Sequence, residues 1–226
     1  MSLFRRTQPD DSPEPDFSEP EEQHDSGPPR TGPWDASDPR PDGPYLDLGG
    51  LQVPVPPGLK AHMDADPSGR VIRVRVEVAG SEVQLAPFAA PRTAGIWDEI
   101  REEIVEQIRA DGGRADELDG PFGTEVAAKM VVHAEGKSGK RTVRFLGVDG
   151  PRWFLRGVVT GAATTDPAAA QVVEDLFAGC VVVRGESAMP PRDLLEMRLP
   201  NTEAAAEPEE PDFNPLVRGP EITEIR

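Results

Sequence analysis

The sequence predicts an α+β fold, with a mostly antiparallel sheet of about seven to eight strands and two main helices in the order ββββ-α-βββ-α-β. Three observations predict it: short segments in which aliphatic and polar residues alternate, two segments with apolar residues at helical spacing, and turn residues between neighbouring strands. Hairpins without regular strand–helix–strand repeats favour an antiparallel or mixed sheet with its helices on one side.

Composition divides the 226 residues into one domain and two tails. Residues 1–44 contain 10 prolines and 11 acidic side chains, and residues 201–226 are acidic and rich in alanine. Together the tails carry −12 of the formal charge of −17, and they hold few residues to bury, so both are predicted to be disordered. Residues 45–200 are predicted to form a single α+β domain.

Four strands are expected before the first helix. The first is an edge strand over about 46–55 that contains prolines, and the second covers 59–63. The clearest strand spans 72–78, and 83–85 completes the meander. In the clearest strand charged residues alternate with four aliphatic ones: Ile72, Val74, Val76 and Val78.

The remaining elements follow from helical spacing and turn residues. Isoleucines four positions apart predict a helix from about Ile96 to Ile108, with Thr93 as its N-cap. Strands are expected at about 125–134, 141–148 and 153–160. Asp166 and Pro167 are typical of a helix start, and the second helix is predicted to reach Phe177 before an apolar strand at 180–183.

The charge and composition of the chain limit the classes of partner that it is expected to bind and the compartment in which it is expected. A net charge of −17 disfavours nucleic acid and anionic lipid, because both require clustered Lys and Arg. Cys180 is the single cysteine, which excludes an intrachain disulfide and fits a reducing compartment. The start has no apolar stretch typical of a secretory signal, and no segment is long and apolar enough to span a membrane. The sequence therefore predicts a cytoplasmic protein.

The residues that usually form phosphate-binding, metal-binding or catalytic sites are not arranged to form such a site. Gly136-Lys137-Ser138 resembles the end of a phosphate-binding loop, but Val131 stands where the first glycine is required. His24, His62 and His133 are far apart, so no metal site is predicted. Cys180 enters an apolar strand, where burial raises the pKa of a thiol. We therefore expect no cofactor and no catalytic residues.

One predicted strand is the best candidate for a contact surface. Trp153 and Leu155 share one face of it, and Arg152, Phe154 and Arg156 share the other. An arginine beside an exposed aromatic ring can bind an anion, a carboxylate or an acidic peptide. The alternative is a cation–π ladder that stabilises the sheet and contacts no ligand.

Two further aromatic residues extend this hypothesis. Trp34 lies in the acidic N-terminal segment, where an exposed tryptophan lowers solubility unless it docks, so it is a candidate anchor on the domain or on a partner. Phe122 lies in a turn, and the structural test is whether a cleft lies beside Trp153 and Phe122 and whether Trp34 fills it. The candidate contact surface is therefore Arg152, Trp153, Phe154, Arg156, Phe122 and Trp34.

Several motifs together resemble an actinobacterial family defined as a domain of unknown function, whose genes are often found near the gene for dUTPase. The resemblance spans about residues 32–200. It implies a cytoplasmic actinobacterial protein, and it brings no activity, cofactor or catalytic residue. It is carried by Gly32–Asp35, Phe88–Arg92, Ile96–Ile100, Asp119–Gly123, Val148–Gly157, Val182–Gly185 and Met189–Arg192.

The leading functional hypothesis is a non-enzymatic cytoplasmic binding or adaptor domain that acts through protein–protein contacts. It depends on the missing catalytic set and on tails with isolated apolar residues. The alternative is a small-ligand or nucleotide-metabolism role, which only the resemblance suggests. The sequence does not favour an enzymatic function, and it predicts no oligomeric state.

Overall fold

The structure, a computed structural model, describes residues 32–93, 95–134 and 137–200, apart from the side chains of 132–138. Of the two tails predicted to be disordered, 1–44 and 201–226, only residues 32–44 are among those described. The helices are α1 (Trp97–Ala110) and α2 (Pro167–Ala178). The strands are β1 (Trp34–Asp35), β2 (Tyr45–Asp47), β3 (Leu51–Pro54), β4 (Lys60–Ala65), β5 (Arg70–Val78), β6 (Ser81–Ala89), β7 (Arg114–Gly120), β8 (Gly123–Ala134), β9 (Lys137–Gly150), β10 (Trp153–Gly161), β11 (Val181–Val182) and β12 (Met197–Arg198).

Two sheets are formed by the described residues. The large sheet has eight strands in the order β12-β5-β6-β10-β9-β8-β7, with β4 paired to β5, and every pair in it is antiparallel. The small sheet has the order β1-β11-β3-β2, and β1 pairs with β11 in parallel. These observations confirm the predicted α+β class with two helices and a mostly antiparallel sheet of about eight strands.

The helices cover opposite faces of the large sheet, so the prediction of helices on one side is wrong. Helix α1 packs on the face that carries Phe154, and helix α2 packs with Trp153 and Leu155 on the other. Successive residues of a strand point to opposite faces, and these three neighbours are all apolar. A central strand with apolar residues on both faces therefore requires a covering layer on each side.

Strand pairing begins earlier than the predicted domain start at Tyr45. The backbone N–H of Trp34 donates to Cys180 at 2.9 Å, which adds β1 to the small sheet. The sequence also gave no indication of strand β7, because only Ala115 in it is buried. A strand of charged residues suits the exposed edge of a sheet, where it hinders pairing with another chain.

The ends of the two helices differ from each other in their caps. Asp166 accepts the backbone N–H of Ala168 at 3.0 Å, and Pro167 occupies the first turn, as predicted for α2. Helix α1 starts at Trp97 and does not use Thr93 as its N-cap.

No helix in the described part of the chain is long and apolar enough to cross a membrane.

Candidate functional site

Strand β10 does not present its aromatic residues to solvent. Trp153 is 1% exposed and Phe154 is completely buried. Phe154 stacks between Trp97 and Phe88, with ring centroids 5.6 and 6.0 Å away. Both faces of the strand are core, which removes Trp153 and Phe154 from the contact surface expected from sequence.

The turn before β10 joins distant parts of the chain. The two carboxylate oxygens of Asp149 accept the backbone N–H groups of Ile96 and Trp97 at 2.9 and 3.1 Å. Asp149 lies on strand β9, and it therefore caps helix α1 in place of the expected local cap, Thr93. Trp153 donates its indole N–H to the carboxylate of Asp35 at 2.7 Å, which ties β10 to β1.

The carboxylate of Asp35 is held in its charged form by these contacts. Burial alone would raise the pKa of Asp35, but hydrogen bonds from Ser37 and Trp153 and the charge of Arg152 outweigh burial and hold this pKa below its ordinary value. The hydroxyl of Ser37 donates to Asp35 at 2.6 Å, and the Ser37 backbone N–H donates to the same oxygen at 3.0 Å. Asp35 is thus a structural acceptor.

Arg152 and Phe122 are also engaged within the domain. Arg152 has a positive φ of 62° in the turn, and its guanidinium donates to the carbonyl of Gly185 at 2.8 Å. The half-buried ring of Phe122 packs edge-on against Phe177, with centroids 5.0 Å apart. The six candidate residues therefore do not form one surface, and Trp34 does not fill a cleft beside Phe122.

Trp34 instead forms one wall of a wide cavity that we call the apolar groove. Its volume is about 700 Å³, and it lies between the segment 34–57 and helix α2. Val55 and Val172 are each 38% exposed in it, and Leu176 forms part of its buried floor. The residues that define the groove are Trp34, Tyr45, Pro54, Val55, Val172 and Leu176.

The walls of the apolar groove are fixed by backbone pairing. Strand β11 pairs with β1 on one side and with β3 on the other, which sets the distance between Trp34 and Pro54. Gly179, at the end of α2, approaches so closely that a Cβ there would lie 2.9 Å from the Pro54 ring. This close approach places the end of the helix against the groove.

The indole N–H of Trp34 differs from those of the other two tryptophans. Trp97 donates to the carbonyl of Thr124 at 2.8 Å, and Trp153 donates to Asp35. Among residues 32–93, 95–134 and 137–200, the Trp34 indole has no acceptor. The Trp34 indole nitrogen lies beside Gly32, where an added Cβ would be 2.8 Å from it.

The rim of the apolar groove is acidic. Asp42 lies at one end of the lining, and Asp175 lies on helix α2. The Asp175 carboxylate accepts the side-chain amide of Gln171 at 2.9 Å. Arg40 lies outside the lining, with its guanidinium 5.1 Å from the Tyr45 ring centre and a hydrogen bond to Gln52.

A second, smaller cavity adjoins the other face of the large sheet, and we call it the arginine cleft. Its volume is about 400 Å³. The guanidinium of Arg156 lies 5.2 Å from the centre of the Phe88 ring, a cation–π contact with a residue of the neighbouring strand β6. The residues that define the cleft are Phe88, Ile100, Glu103, Ile104, Arg156 and Arg192.

The two arginines of the arginine cleft have different surroundings. Arg192 binds Glu99 and Glu103, both at 2.9 Å. Within the described residues Arg156 has no ion pair or side-chain hydrogen bond, and its Nε is buried without a partner. Burial lowers the pKa of the Arg156 guanidinium, which nevertheless stays protonated at neutral pH.

Other chemistry-bearing residues take the positions expected from sequence. Cys180 is completely buried, which raises the pKa of its thiol well above the ordinary range. His62 is exposed, with its ring 3.5 Å from Glu77. Strand β9 begins at Lys137 and not at the predicted 141, so Lys137 and Ser138 belong to a strand, whereas a phosphate-binding loop requires a helix at this point.

Residues 32–206 match the family described as "Protein of unknown function (DUF3710)". The chain belongs to this family. The DUF3710 match starts two residues before β1, and it confirms the resemblance to a family of unknown function. No curated protein matches the chain. Among solved structures, the solution structure of cyanobacterial PsbP (CyanoP) from Synechocystis sp. PCC 6803 is similar, with 9% identity and a TM-score of 0.37, over 59% of this chain and 86% of that chain.

The motifs that carry the DUF3710 resemblance occupy structural positions. Asp149 caps helix α1, Trp153 binds Asp35, and Trp97 fills the space above Gly147. The apolar groove was missed because its prolines were assigned to a tail and an edge strand. The one signal for it was the tryptophan in Gly32–Asp35, since an apolar side chain in an acidic segment requires a place to dock.

Proposed function

We propose that this chain is a non-enzymatic binding domain whose apolar groove holds a proline-containing segment of a protein partner, with a basic residue beside the prolines. The observation that carries the proposal is the groove itself, with its aromatic and proline lining and its acidic rim. A cytoplasmic location belongs to the same proposal and is supported by the single cysteine.

The walls of the apolar groove favour an extended, proline-containing peptide. Proline-rich segments adopt a preformed left-handed helix and dock in grooves lined by aromatic rings, where they lose little conformational entropy. Trp34 and Tyr45 supply the rings, and Val55 and Val172 supply apolar contacts between them. The peptide carbonyls of such a segment have no internal partner, so one of them can accept the Trp34 indole N–H.

The rim of the apolar groove selects the charge of the peptide. Asp42 and Asp175 are acidic, and of the described residues that line the groove none is basic. An arginine or lysine beside the prolines would gain a charge-assisted hydrogen bond, while an acidic residue there would be repelled. Among the described residues, those that line the groove also include no histidine, cysteine or serine.

The test is a titration of the full chain, labelled at its tryptophan indoles for NMR, with a short peptide of Pro-Pro-Arg repeats. We expect the Trp34 indole signal to move and a Kd below about 100 μM. Replacing the prolines of the peptide with glycine, or its arginines with glutamate, is expected to weaken binding. Val172→Lys places a positive charge on the groove wall and should abolish binding.

Leu118→Lys is the matched control, because Leu118 is an exposed leucine on β7, outside the groove lining. It should bind the peptide as the native chain does. Equal binding by native chain and Val172→Lys would overturn the proposal. So would a Trp34 indole that is protected in the free chain and released by Val172→Lys, since a segment of this chain would then occupy the groove.

A small-ligand role is the second candidate function, and a separate feature favours it. The arginine cleft holds Arg156, a cation for which the part of the chain that the structure describes supplies no counter-ion. Nucleotides are tested by thermal shift with the full chain: stabilisation by deoxynucleotides below millimolar concentration would support the nucleotide-metabolism alternative.

A further inference from the structure

We propose that the arginine cleft is a binding site for a small organic monocarboxylate with an apolar body, with Arg156 binding the carboxylate. This site lies on the opposite face of the large sheet from helix α2 and the apolar groove. The proposal is independent of the protein-binding role, because the two sites share no residue.

The position of Arg156 in the sheet explains why no protein carboxylate reaches it. Its neighbours across the two adjacent strands are Ala86 on β6 and Gly147 on β9. Cross-strand positions are where a sheet normally places the counter-ion of a charged residue. Here neither neighbour has a charged side chain, because one is alanine and the other is glycine. The Trp97 ring also occupies the space above Gly147.

Helix α1 does not supply the missing partner either. Glu103 is the acidic residue of the cleft lining, and its two carboxylate oxygens lie 2.9 and 3.2 Å from a guanidinium nitrogen of Arg192. Arg75 is the other described arginine with a buried, unpartnered Nε, and it has ion pairs with Asp64 and Glu82. Arg156 is therefore a partly buried cation that lacks a protein counter-ion among the described residues.

A partly buried charge without a partner is costly, and an anion that enters the cleft would remove this cost. Of the common anions, a carboxylate fits the fork of a guanidinium with two parallel hydrogen bonds. Glu103 lines the cleft and Glu99 pairs with the same Arg192, so these carboxylates repel a dianion more than a monoanion. These charges favour a carboxylate over a phosphate.

The remaining walls define the body of the ligand. Phe88, Ile100 and Ile104 are half-buried and apolar, and they lie beside the Arg156 guanidinium. A volume of about 400 Å³ is at the small end of ligand pockets, so it suits a single aromatic ring or a short acyl chain. Acetate would meet Arg156 but leave the apolar walls uncovered.

The probes for the test are phenylacetate and hexanoate, titrated into the full chain by calorimetry and by NMR. We expect both to bind with a Kd below about 1 mM. Acetate, phenylacetamide, inorganic phosphate and a nucleoside monophosphate are expected to bind at least about tenfold more weakly, because each lacks either the apolar body or the monoanionic carboxylate.

The decisive variant is Arg156→Met, which keeps an unbranched apolar side chain in the sheet. We expect it to weaken phenylacetate binding at least about tenfold while leaving the melting temperature unchanged or higher, since an unpaired charge is lost. Arg156→Lys, which keeps the charge without the fork, is expected to bind with intermediate affinity. The matched control is Arg73→Met, an exposed arginine on β5.

Three results would overturn the carboxylate site: no binding of either probe, equal affinity for acetate and phenylacetate, or equal phenylacetate affinity in the native chain and Arg156→Met. If Arg156→Met fails to fold, equal affinity in Arg156→Lys and the native chain has the same meaning. Val172→Lys should not change phenylacetate binding, which separates this test from that of the apolar groove.

Discussion

Trp153 donates its indole N–H to the Asp35 carboxylate at 2.7 Å, and this hydrogen bond joins the centre of the large sheet to the first strand of the small one. The indole belongs to a buried side chain, and Asp35 is its acceptor. We therefore expect Asp35→Ala to lower the free energy of unfolding by about 1–3 kcal/mol, the cost of an unpaired buried donor.

Urea unfolding followed by tryptophan fluorescence measures this change. Asp42→Ala, an exposed carboxylate of the same segment, is the control and should change stability by less than about 0.5 kcal/mol. A loss in Asp35→Ala that equals the loss in the control would show that the indole finds another acceptor.

Stability should fall in acid partly because of Asp35. Its pKa is below the ordinary value of 3.8 in the folded chain, so its contribution is fully present above that value and is lost as the pH falls through the folded pKa. The difference in unfolding free energy between the native chain and Asp35→Asn is therefore expected to be constant near neutral pH and to shrink below about pH 4. Urea titrations across this range test it, and a difference that grows in acid would contradict it.

Asp149→Ala is expected to loosen the start of helix α1. Two backbone N–H groups lose their acceptor, so we expect a loss of about 1–2 kcal/mol and faster amide hydrogen exchange at Ile96 and Trp97. Asp166→Ala, which removes the cap of α2, is the comparison and should speed exchange at Ala168 only. Unchanged exchange at Ile96 and Trp97 would contradict a capping role for Asp149.

Cys180 should be unreactive until the domain unfolds. It is completely buried, and burial raises the pKa of its thiol, so neither access nor the thiolate form is available. We expect a thiol reagent to label the native chain slowly and to label it stoichiometrically in denaturant, with a rate that follows the unfolded fraction. Since the chain has one cysteine, fast labelling without denaturant would contradict this burial directly.

Helices and strands were predictable where their positions depend on residues close together in the sequence. The cap and first turn at Asp166 and Pro167 form as expected, because both act within one helical turn. The alternation in β5 was correct for Val74, Val76 and Val78, which are buried, but Ile72 is 47% exposed. The pairing of β4 with β5 skips Ile72, and such a bulge turns a side chain to the opposite face.

The tertiary relations were not predictable from local pattern. The parallel pairing of β1 with β11 depends on contacts between the two ends of the domain, and a two-residue strand has too little sequence to indicate it. The prediction of an exposed aromatic residue on β10 was wrong for a related reason. Trp153 and Phe154 are both covered because a helix packs on each face of the sheet, and alternation within one strand does not show how many layers cover it.

Because Trp34 pairs beside Val181, the apolar groove is built from the first and the last parts of the domain to be synthesised. A nascent chain that has already exposed Trp34 lacks the opposite wall until helix α2 has left the ribosome, and β11, which pairs with both β1 and β3, follows α2. Domains generally fold as units during synthesis, so the proposed binding of a peptide requires that translation has passed through most of the domain. Truncated products that end before β11 would retain most of the strands of the large sheet but would lack the pairing that joins β1 to β3.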